Sequence, residues 1–197
     1  LEISSANGSY LITSSGKEIY DAISSWWCKP LGHCHPLVHD AIVEQLNFFE
    51  HHIPANAYNQ NLEKLSQRLT GIFTTMNKVM YASDGSSAVE IALKLSYETR
   101  VLNNQPERKK FIALAGAYHG ETIFTLGVCG ISIYKKNYQA LLASNHFIEK
   151  IPYVTGQDDS IWHDCNFDEE YWRDFFIQRV ADTSGFIFEP IVQGAVG

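Results

Sequence analysis

The pattern of apolar and polar positions predicts strands near both ends of the chain and helices between them. Two short β-prone runs, residues 10–13 and 18–20, flank the turn-forming residues 14–17 and predict a hairpin. Apolar side chains then recur at helical spacing over residues 36–46 and 61–72, which predicts two amphipathic helices. A proline opens the first of these segments, where it is well tolerated in a helix.

The middle of the chain alternates between the two kinds of element. We predict a strand over residues 78–82, a turn over 83–87, a helix over 88–102 and a second strand over 111–115. A strand, a helix and a strand within about 35 residues form a βαβ unit. The pattern therefore predicts an α/β fold with a mostly parallel sheet flanked by helices.

The last part of the chain predicts one more helix and one more strand. Residues 145–168 are polar and are predicted to be irregular, whereas residues 169–180 have helical character. The apolar run over residues 185–192 predicts a buried strand. Such a strand needs a neighbour, and the glycine-rich residues 193–197 would normally lead into another element. We therefore expect this chain to be part of a longer polypeptide.

Composition and charge narrow the functional classes. Apolar residues make up 45% and charged residues 19% of the 197 residues, which excludes a disordered acidic tail. The net charge of −7 argues against a protein that binds nucleic acid by neutralising phosphates. We find no apolar run near the roughly 20 residues of a membrane span, and no opening signal peptide. We expect a cytoplasmic protein with free thiols at its irregularly spaced cysteines, Cys28, Cys34, Cys129 and Cys165.

The turn before the helix over residues 88–102 is the first candidate site. Ser86 and Ser87 stand where an N-cap is expected, and the spacing of Ser87 and Glu90 matches a capping box. Gly85 would let the backbone turn closely, and amide groups at a helix start favour an anion such as phosphate. The alternative is a well-capped helix without a ligand. The turn is neither a Walker loop nor a dinucleotide-binding loop.

The loop over residues 116–122 is the second candidate, because it follows a predicted parallel strand. Tyr118 can offer an aromatic face to a flat ring, and His119 or Glu121 could transfer protons. The alternative is a strand-to-helix connection in which the tyrosine and the histidine only pack.

A third candidate lies in the Gly- and Pro-rich residues 24–36. Cysteine and histidine cluster there, but their spacing fits no closed Cys/His site, so we expect no metal. The adjacent Trp26 and Trp27 either plug the edge of a core or form the wall of a pocket for a hydrophobic substrate.

Taken together, four segments resemble the class III aminotransferases, pyridoxal-phosphate enzymes of fold type I. The segments occur in the family's order and are LGHCHP (31–36), SDGSSAVE (83–90), AYHGET (117–122) and FEPIVQG (188–194). The resemblance implies an α/β fold of type I, incomplete in this chain, with pyridoxal 5'-phosphate as cofactor. It also implies a homodimer.

The resemblance implies a role for each candidate residue. Gly85 and Ser86 would bind the cofactor phosphate. Tyr118 would lie against the pyridine ring and border the substrate, and Trp26 and Trp27 would form the wall for the substrate's aliphatic chain.

The resemblance also concerns the remaining residues of the family's active site. The Schiff-base lysine and the aspartate partner of the pyridine nitrogen belong to segments downstream of residues 188–194, so we assign no catalytic residue here. Glu189 would lie near the cofactor's edge. Residues 1–25 would belong to the small domain, and residues 26–197 to the large cofactor-binding domain.

Within the class, residues 24–27 and the Gly-His-Cys-His-Pro box are similar to one subfamily of biotin biosynthesis. Its members transfer the amino group of S-adenosylmethionine to 8-amino-7-oxononanoate, which yields 7,8-diaminononanoate. One alternative is another class III transaminase, which acts on an ω-amino acid or a diamine. A different alternative is a truncated, non-catalytic paralogue that binds phosphate or a partner.

Overall fold

The computed structural model describes residues 1–73, 75–165 and 167–196. The chain divides into two compact units, Leu1–Asn77 and Lys78–Gly197. Within the described ranges, no helix has both the length and the apolar character that crossing a membrane requires.

The first unit begins with an antiparallel sheet of three strands in the order β1–β2–β3. The predicted hairpin is confirmed by the pairing of β2 with β3. The pattern does not predict β1, because its sequence ISSAN carries a single large apolar side chain. The predicted amphipathic helices are confirmed as α2 and α3. The elements are β1 (Ile3–Asn7), β2 (Tyr10–Thr13), β3 (Glu18–Tyr20), α1 (Ser24–Trp27), α2 (Pro36–Leu46) and α3 (Gln60–Ile72).

The second unit contains a sheet in the order β5–β4–β6, in which both strand pairs are parallel. The predicted parallel sheet is therefore confirmed. Two 3-10 helices, Gln139–Leu141 and Ser160–Trp162, lie in the connections. The elements are α4 (Gly85–Leu102), β4 (Lys110–Leu114), α5 (Ile123–Val128), α6 (Ser132–Lys135), β5 (His146–Ile148), α7 (Glu169–Arg179) and β6 (Thr183–Ile187).

Strand β4 is the centre of this unit, because alternate side chains enter two different cores. Phe111 and Ala113 pack in a cluster with residues of α4 and α5. Ile112 and Leu114 point to the opposite face and pack in a second cluster, which includes Phe175 of α7. Helices therefore cover both faces of the sheet, as the α/β prediction requires.

One predicted strand is absent, and two further predictions are wrong in part. Residues 78–82 form no strand, and within the described part of the chain the edge strands β5 and β6 pair with β4 and not with this segment. The segment over 145–168 is not wholly irregular, since it contains β5, whose sequence HFI has only two apolar residues. Strand β6 ends at residue 187, before Pro190, which cannot donate to a sheet ladder. Residue 166 lies outside the described residues.

Asp182, directly before β6, connects the amino ends of all three strands of this sheet. Its carboxylate accepts a hydrogen bond from Lys110 Nζ at 2.9 Å and one from His146 Nε2 at 2.8 Å. These two partners, Lys110 first, hold the pKa of Asp182 below its usual value of 3.8. The charged carboxylate is therefore the form that stabilises the fold.

We expect Asp182→Asn to lower the free energy of unfolding of the whole protein by about 1 kcal/mol, because this partly exposed group loses its charge-assisted bonds. Since the folded pKa is depressed, this stabilisation is present above about pH 4 and is lost as the pH falls through the folded pKa. Urea unfolding across this acid range measures the difference. The exposed Asp158 supplies the control, and an equal loss in Asp158→Asn would contradict the assignment.

Candidate functional site

Two of the segments that the sequence singles out meet in the second unit. One is the start of α4, and the other is the loop over residues 115–122 that joins β4 to α5. The loop follows the carboxyl end of β4, the edge at which ligands bind in open sheets of parallel strands. Ala117, in the middle of the loop, is fully buried and packs with the core cluster of Ile112 and Leu114. The core therefore fixes the loop's position.

The N-cap of α4 is Asp84, and the prediction of Ser86 or Ser87 in this role is wrong. The Asp84 carboxylate accepts the Ser87 backbone N–H at 2.8 Å and the Ser87 hydroxyl at 2.7 Å. These bonds hold the pKa of Asp84 below its usual value. Its extended backbone is the conformation that an N-cap adopts. The predicted capping box is also wrong, because Glu90 instead accepts a hydrogen bond from the Thr122 hydroxyl.

The loop lies directly against the first turn of α4. The Glu121 backbone N–H donates to the Ser86 hydroxyl oxygen at 3.3 Å. Gly120 has a φ of +124°, and a Cβ there would lie 2.8 Å from Ser86 Cβ and 2.9 Å from Thr125 Oγ1. Only glycine allows this close approach of the backbone. The structure therefore brings together two residues that are 35 positions apart in the sequence.

Tyr118 is a half-buried side chain with a fixed hydroxyl group. Its hydroxyl donates to Glu121 Oε1 at 2.9 Å, and its ring makes an edge contact with Tyr134 at a centroid distance of 5.4 Å. Burial, followed by the hydrogen bond to Glu121, raises the pKa of Tyr118 to about 12. The phenol is therefore neutral at physiological pH. The Glu121 carboxylate, proposed from the sequence for proton transfer, is occupied by this bond.

Glu189 connects the loop to the end of the described chain. One carboxylate oxygen accepts the Tyr118 backbone N–H at 2.8 Å, and the other accepts the Gly194 backbone N–H at the same distance. Gln193 adds a bond from its side-chain amide to the Ala115 carbonyl at 3.2 Å. Residues 189–194 therefore stabilise the backbone that carries Tyr118.

Sequence reasoning misses the structural role of Cys129 and Gly130. The buried Cys129 thiol accepts the His119 backbone N–H and donates to the Gly120 carbonyl, both at 3.2 Å. The Gly130 backbone N–H donates to the Ala117 carbonyl at 2.8 Å. The only signal in the sequence is the apolar helix before this Cys-Gly pair, which does not reveal that the chain returns to the loop.

His119 contains a buried nitrogen, Nε2, which has no hydrogen-bond partner among the described residues. Burial lowers the pKa of His119, and the nearby Glu189 carboxylate only partly opposes this shift. The imidazole is therefore neutral at physiological pH. A buried polar atom of this kind is usually satisfied by a partner or a ligand.

The first unit carries the remaining candidates. Trp26 and Trp27 lie in α1 and remain 75% and 65% exposed, so neither plugs a core in this structure. Cys28, Cys34 and His35 lie nearby in the sequence. Within the described ranges, no group of three or more His, Cys, Asp or Glu side chains is placed to hold a metal ion.

The residues of the second unit fit a cofactor that has both a phosphate and a flat ring. Space is open beside Gly85, where no atom lies within 4 Å of the position of a Cβ. The Ser86 hydroxyl oxygen accepts a hydrogen bond from the Glu121 backbone N–H. Among the described residues, the proton of the Ser86 hydroxyl has no acceptor. The first turn of the 18-residue α4 adds the positive end of the helix dipole, which favours a phosphate. The aromatic ring of Tyr118 offers a face to the flat ring of the cofactor.

Comparisons with known proteins identify the family. The aminotransferase class-III family matches residues 1–197. The adenosylmethionine-8-amino-7-oxononanoate aminotransferase of Helicobacter pylori is 40% identical over 196 residues, which are 99% of this chain and 43% of that protein. The chain spans less than half the length of the curated relatives that it matches first.

Solved structures agree with this match. The adenosylmethionine-8-amino-7-oxononanoate aminotransferase of Methanocaldococcus jannaschii superimposes with a TM-score of 0.82 at 28% identity, over 94% of this chain and 40% of that one. A pyridoxal-phosphate-bound amine transaminase from an uncultivated Pseudomonas species also gives 0.82, at 26% identity, over 96% of this chain and 44% of that one. The chain belongs to the class-III aminotransferase family and has part of its fold-type-I architecture.

Proposed function

We propose that the whole protein transfers the amino group of S-adenosylmethionine to 8-amino-7-oxononanoate in biotin biosynthesis, with pyridoxal 5'-phosphate as cofactor. The observation that carries this proposal is the 40% identity to the Helicobacter pylori relative of that name over 99% of this chain. The contact between the start of α4 and the Tyr118 loop supports it independently, because it offers a place for a phosphate and a ring together.

In this proposal, Gly85 and Ser86 bind the cofactor phosphate, and Tyr118 lies against the pyridine ring. Amide groups at a helix start favour an anion, and the Ser86 hydroxyl adds a donor. When bound, pyridoxal phosphate supplies the electron sink for amino-group transfer.

In this proposal, the role of the surrounding residues is to position Tyr118. Glu189 and Cys129 hold the loop backbone on either side of Tyr118, and Glu121 fixes the direction of its hydroxyl group. Such fixed geometry lowers the entropic cost of bringing the reacting groups together. Because its pKa is raised to about 12, Tyr118 keeps its proton on Oη throughout the physiological range.

Trp26 and Trp27 form the proposed wall for the aliphatic chain of 8-amino-7-oxononanoate, and Tyr118 borders the same substrate. Large exposed indole rings suit an apolar chain, which gains by leaving water.

We also propose a cytoplasmic homodimer, in which residues 1–25 belong to the small domain and residues 26–197 to the large domain of the whole protein. The four free cysteines are compatible with a reducing compartment. The boundary at residue 25 refers to the whole protein, whereas the two compact units describe contacts within this chain.

Product analysis tests the proposed reaction. We expect the whole protein, supplied with pyridoxal phosphate and 8-amino-7-oxononanoate, to form 7,8-diaminononanoate when S-adenosylmethionine is the donor, as detected by mass spectrometry. Formation of the product only with a diamine or an ω-amino acid would instead support a general class III transaminase. The similarity to an amine transaminase makes this the second candidate.

A further inference from the structure

The turn that carries the two tryptophans has a strained backbone. Four consecutive residues of α1 lie in the left-handed region, with φ values of 49° at Ser24, 47° at Ser25, 64° at Trp26 and 65° at Trp27. This region is unfavourable for every residue that has a Cβ, and a run of four is uncommon. Such a conformation persists only where surrounding groups enforce it.

The Asp21 carboxylate bonds directly to this turn, alongside backbone bonds such as Trp27 N–H to the Ile23 carbonyl at 2.8 Å. Asp21 Oδ1 accepts the Ser25 backbone N–H at 3.0 Å, and Oδ2 accepts the Ser25 hydroxyl at 2.8 Å. Oδ2 also accepts His33 Nε2 at 2.8 Å, so this nitrogen carries a proton. The two side chains are only 5% and 11% exposed, which shields the pair from solvent. These three hydrogen bonds, first that of the Ser25 backbone N–H, stabilise the charged form of Asp21. They lower the pKa of Asp21 to about 2.

Both members of the pair are fixed to the antiparallel sheet through their backbones. The Asp21 N–H, directly after β3, donates to the Ser9 carbonyl at 2.8 Å. His33 exchanges two backbone hydrogen bonds with Gly8, in the connection between β1 and β2, at 3.0 and 2.7 Å. The Asp21–His33 bond therefore closes residues 22–32 into a loop. Both ends of this loop are hydrogen-bonded to the connection between β1 and β2.

We propose that Asp21 and His33 are positioning residues, which hold the Ser24–Trp27 turn in its left-handed form and thereby orient Trp26 and Trp27 toward the aliphatic chain of the keto substrate. The role of the two tryptophans in this inference rests on the proposed function. Neither residue contacts the reacting atoms in this proposal; both act through Ser25 and the backbone of the turn.

The test combines a residue-specific signal with kinetics of the whole protein. The protein is labelled with 5-fluorotryptophan, and the ¹⁹F resonances of Trp26 and Trp27 are assigned with Trp26→Phe and Trp27→Phe. The variants are Asp21→Ala, the milder Asp21→Asn, and His33→Phe, which keeps a ring but lacks the donor. Asp40→Ala is the matched control, because the Asp40–His39 pair is 77% and 67% exposed.

We expect the resonances of Trp26 and Trp27 to shift or broaden in the Asp21 and His33 variants and to stay unchanged in Asp40→Ala. The KM for 8-amino-7-oxononanoate should rise about tenfold, with kcat changed less than about twofold, because ground-state positioning is lost. Unchanged resonances of Trp162 and Trp172 show that the second unit remains folded in the variants, and the milder Asp21→Asn limits the disturbance of the first unit.

Two results overturn the proposal, and they differ in what else they affect. If Trp26→Ala and Trp27→Ala raise KM but Asp21→Asn and His33→Phe leave resonances and KM at wild-type values, the positioning role alone is wrong. If Trp26→Ala and Trp27→Ala leave KM unchanged, the proposed substrate wall is wrong, and the positioning role falls with it.

Discussion

Replacing Gly130 with alanine is expected to destabilise the whole protein by about 3 kcal/mol, because overpacking against backbone cannot relax easily. A Cβ at Gly130 would overlap the Gly116 backbone nitrogen and would lie 2.7 Å from the Leu114 carbonyl oxygen and 2.9 Å from the Ala115 carbonyl carbon. These atoms belong to the end of β4 and to the start of the Tyr118 loop. The variant should therefore also bind pyridoxal phosphate more weakly. Urea unfolding and a cofactor titration measure the two effects.

Gly156→Ala is the matched control for this prediction. No atom lies within 4 Å of a Cβ at Gly156, and its φ is outside the positive range. We expect a change in the free energy of unfolding within about 0.5 kcal/mol. A similar stability of Gly130→Ala and Gly156→Ala would contradict the close packing under the loop.

Gly85→Glu is expected to weaken the binding of pyridoxal phosphate about 100-fold, or about 2.7 kcal/mol, without destabilising the fold. Gly85 is exposed, and a side chain there meets no atom within 4 Å. A carboxylate in the first turn of α4 favours the helix, because it interacts with the positive end of the dipole. The same carboxylate repels the phosphate that we place beside Gly85. Titration of the cofactor-free protein measures the affinity, and urea unfolding measures the stability.

Gly85→Gln separates charge from size, because glutamine has nearly the shape of glutamate. We expect less than about tenfold weaker binding in this variant. Equal affinities of the glutamate and glutamine variants would show that no anion binds at the start of α4, and the proposed phosphate site would then be wrong.

Much of the fold could be predicted, because the chain's strongest patterns are local. The hairpin of β2 and β3 follows from two β-prone runs around a glycine turn, and α2, α3 and α7 follow from periodic apolar positions. Residues 78–82 have a strand-like sequence, but a strand also requires a neighbouring strand, which local sequence does not specify. β5 is only three residues long, too short to show a pattern.

The candidate site could be predicted in its parts but not in its connections. Gly85, Ser86 and Tyr118 can be selected from their motifs, and the structure brings their segments together through Ser86 and Glu121. The bond of Cys129 to the loop could not be predicted, because it depends on how the chain returns after α5. The N-cap is wrong by two or three residues, since several of the short polar side chains before α4 can cap a helix.

The absorbance spectrum of the whole protein with pyridoxal phosphate tests the account most directly. We expect the protein to bind the cofactor with a visible absorbance band, which falls when S-adenosylmethionine is added and returns when 8-amino-7-oxononanoate follows. A band that does not respond to S-adenosylmethionine but responds to another amine would contradict the proposed donor. Failure of the protein to bind pyridoxal phosphate at all would contradict the proposed cofactor site at Gly85, Ser86 and Tyr118.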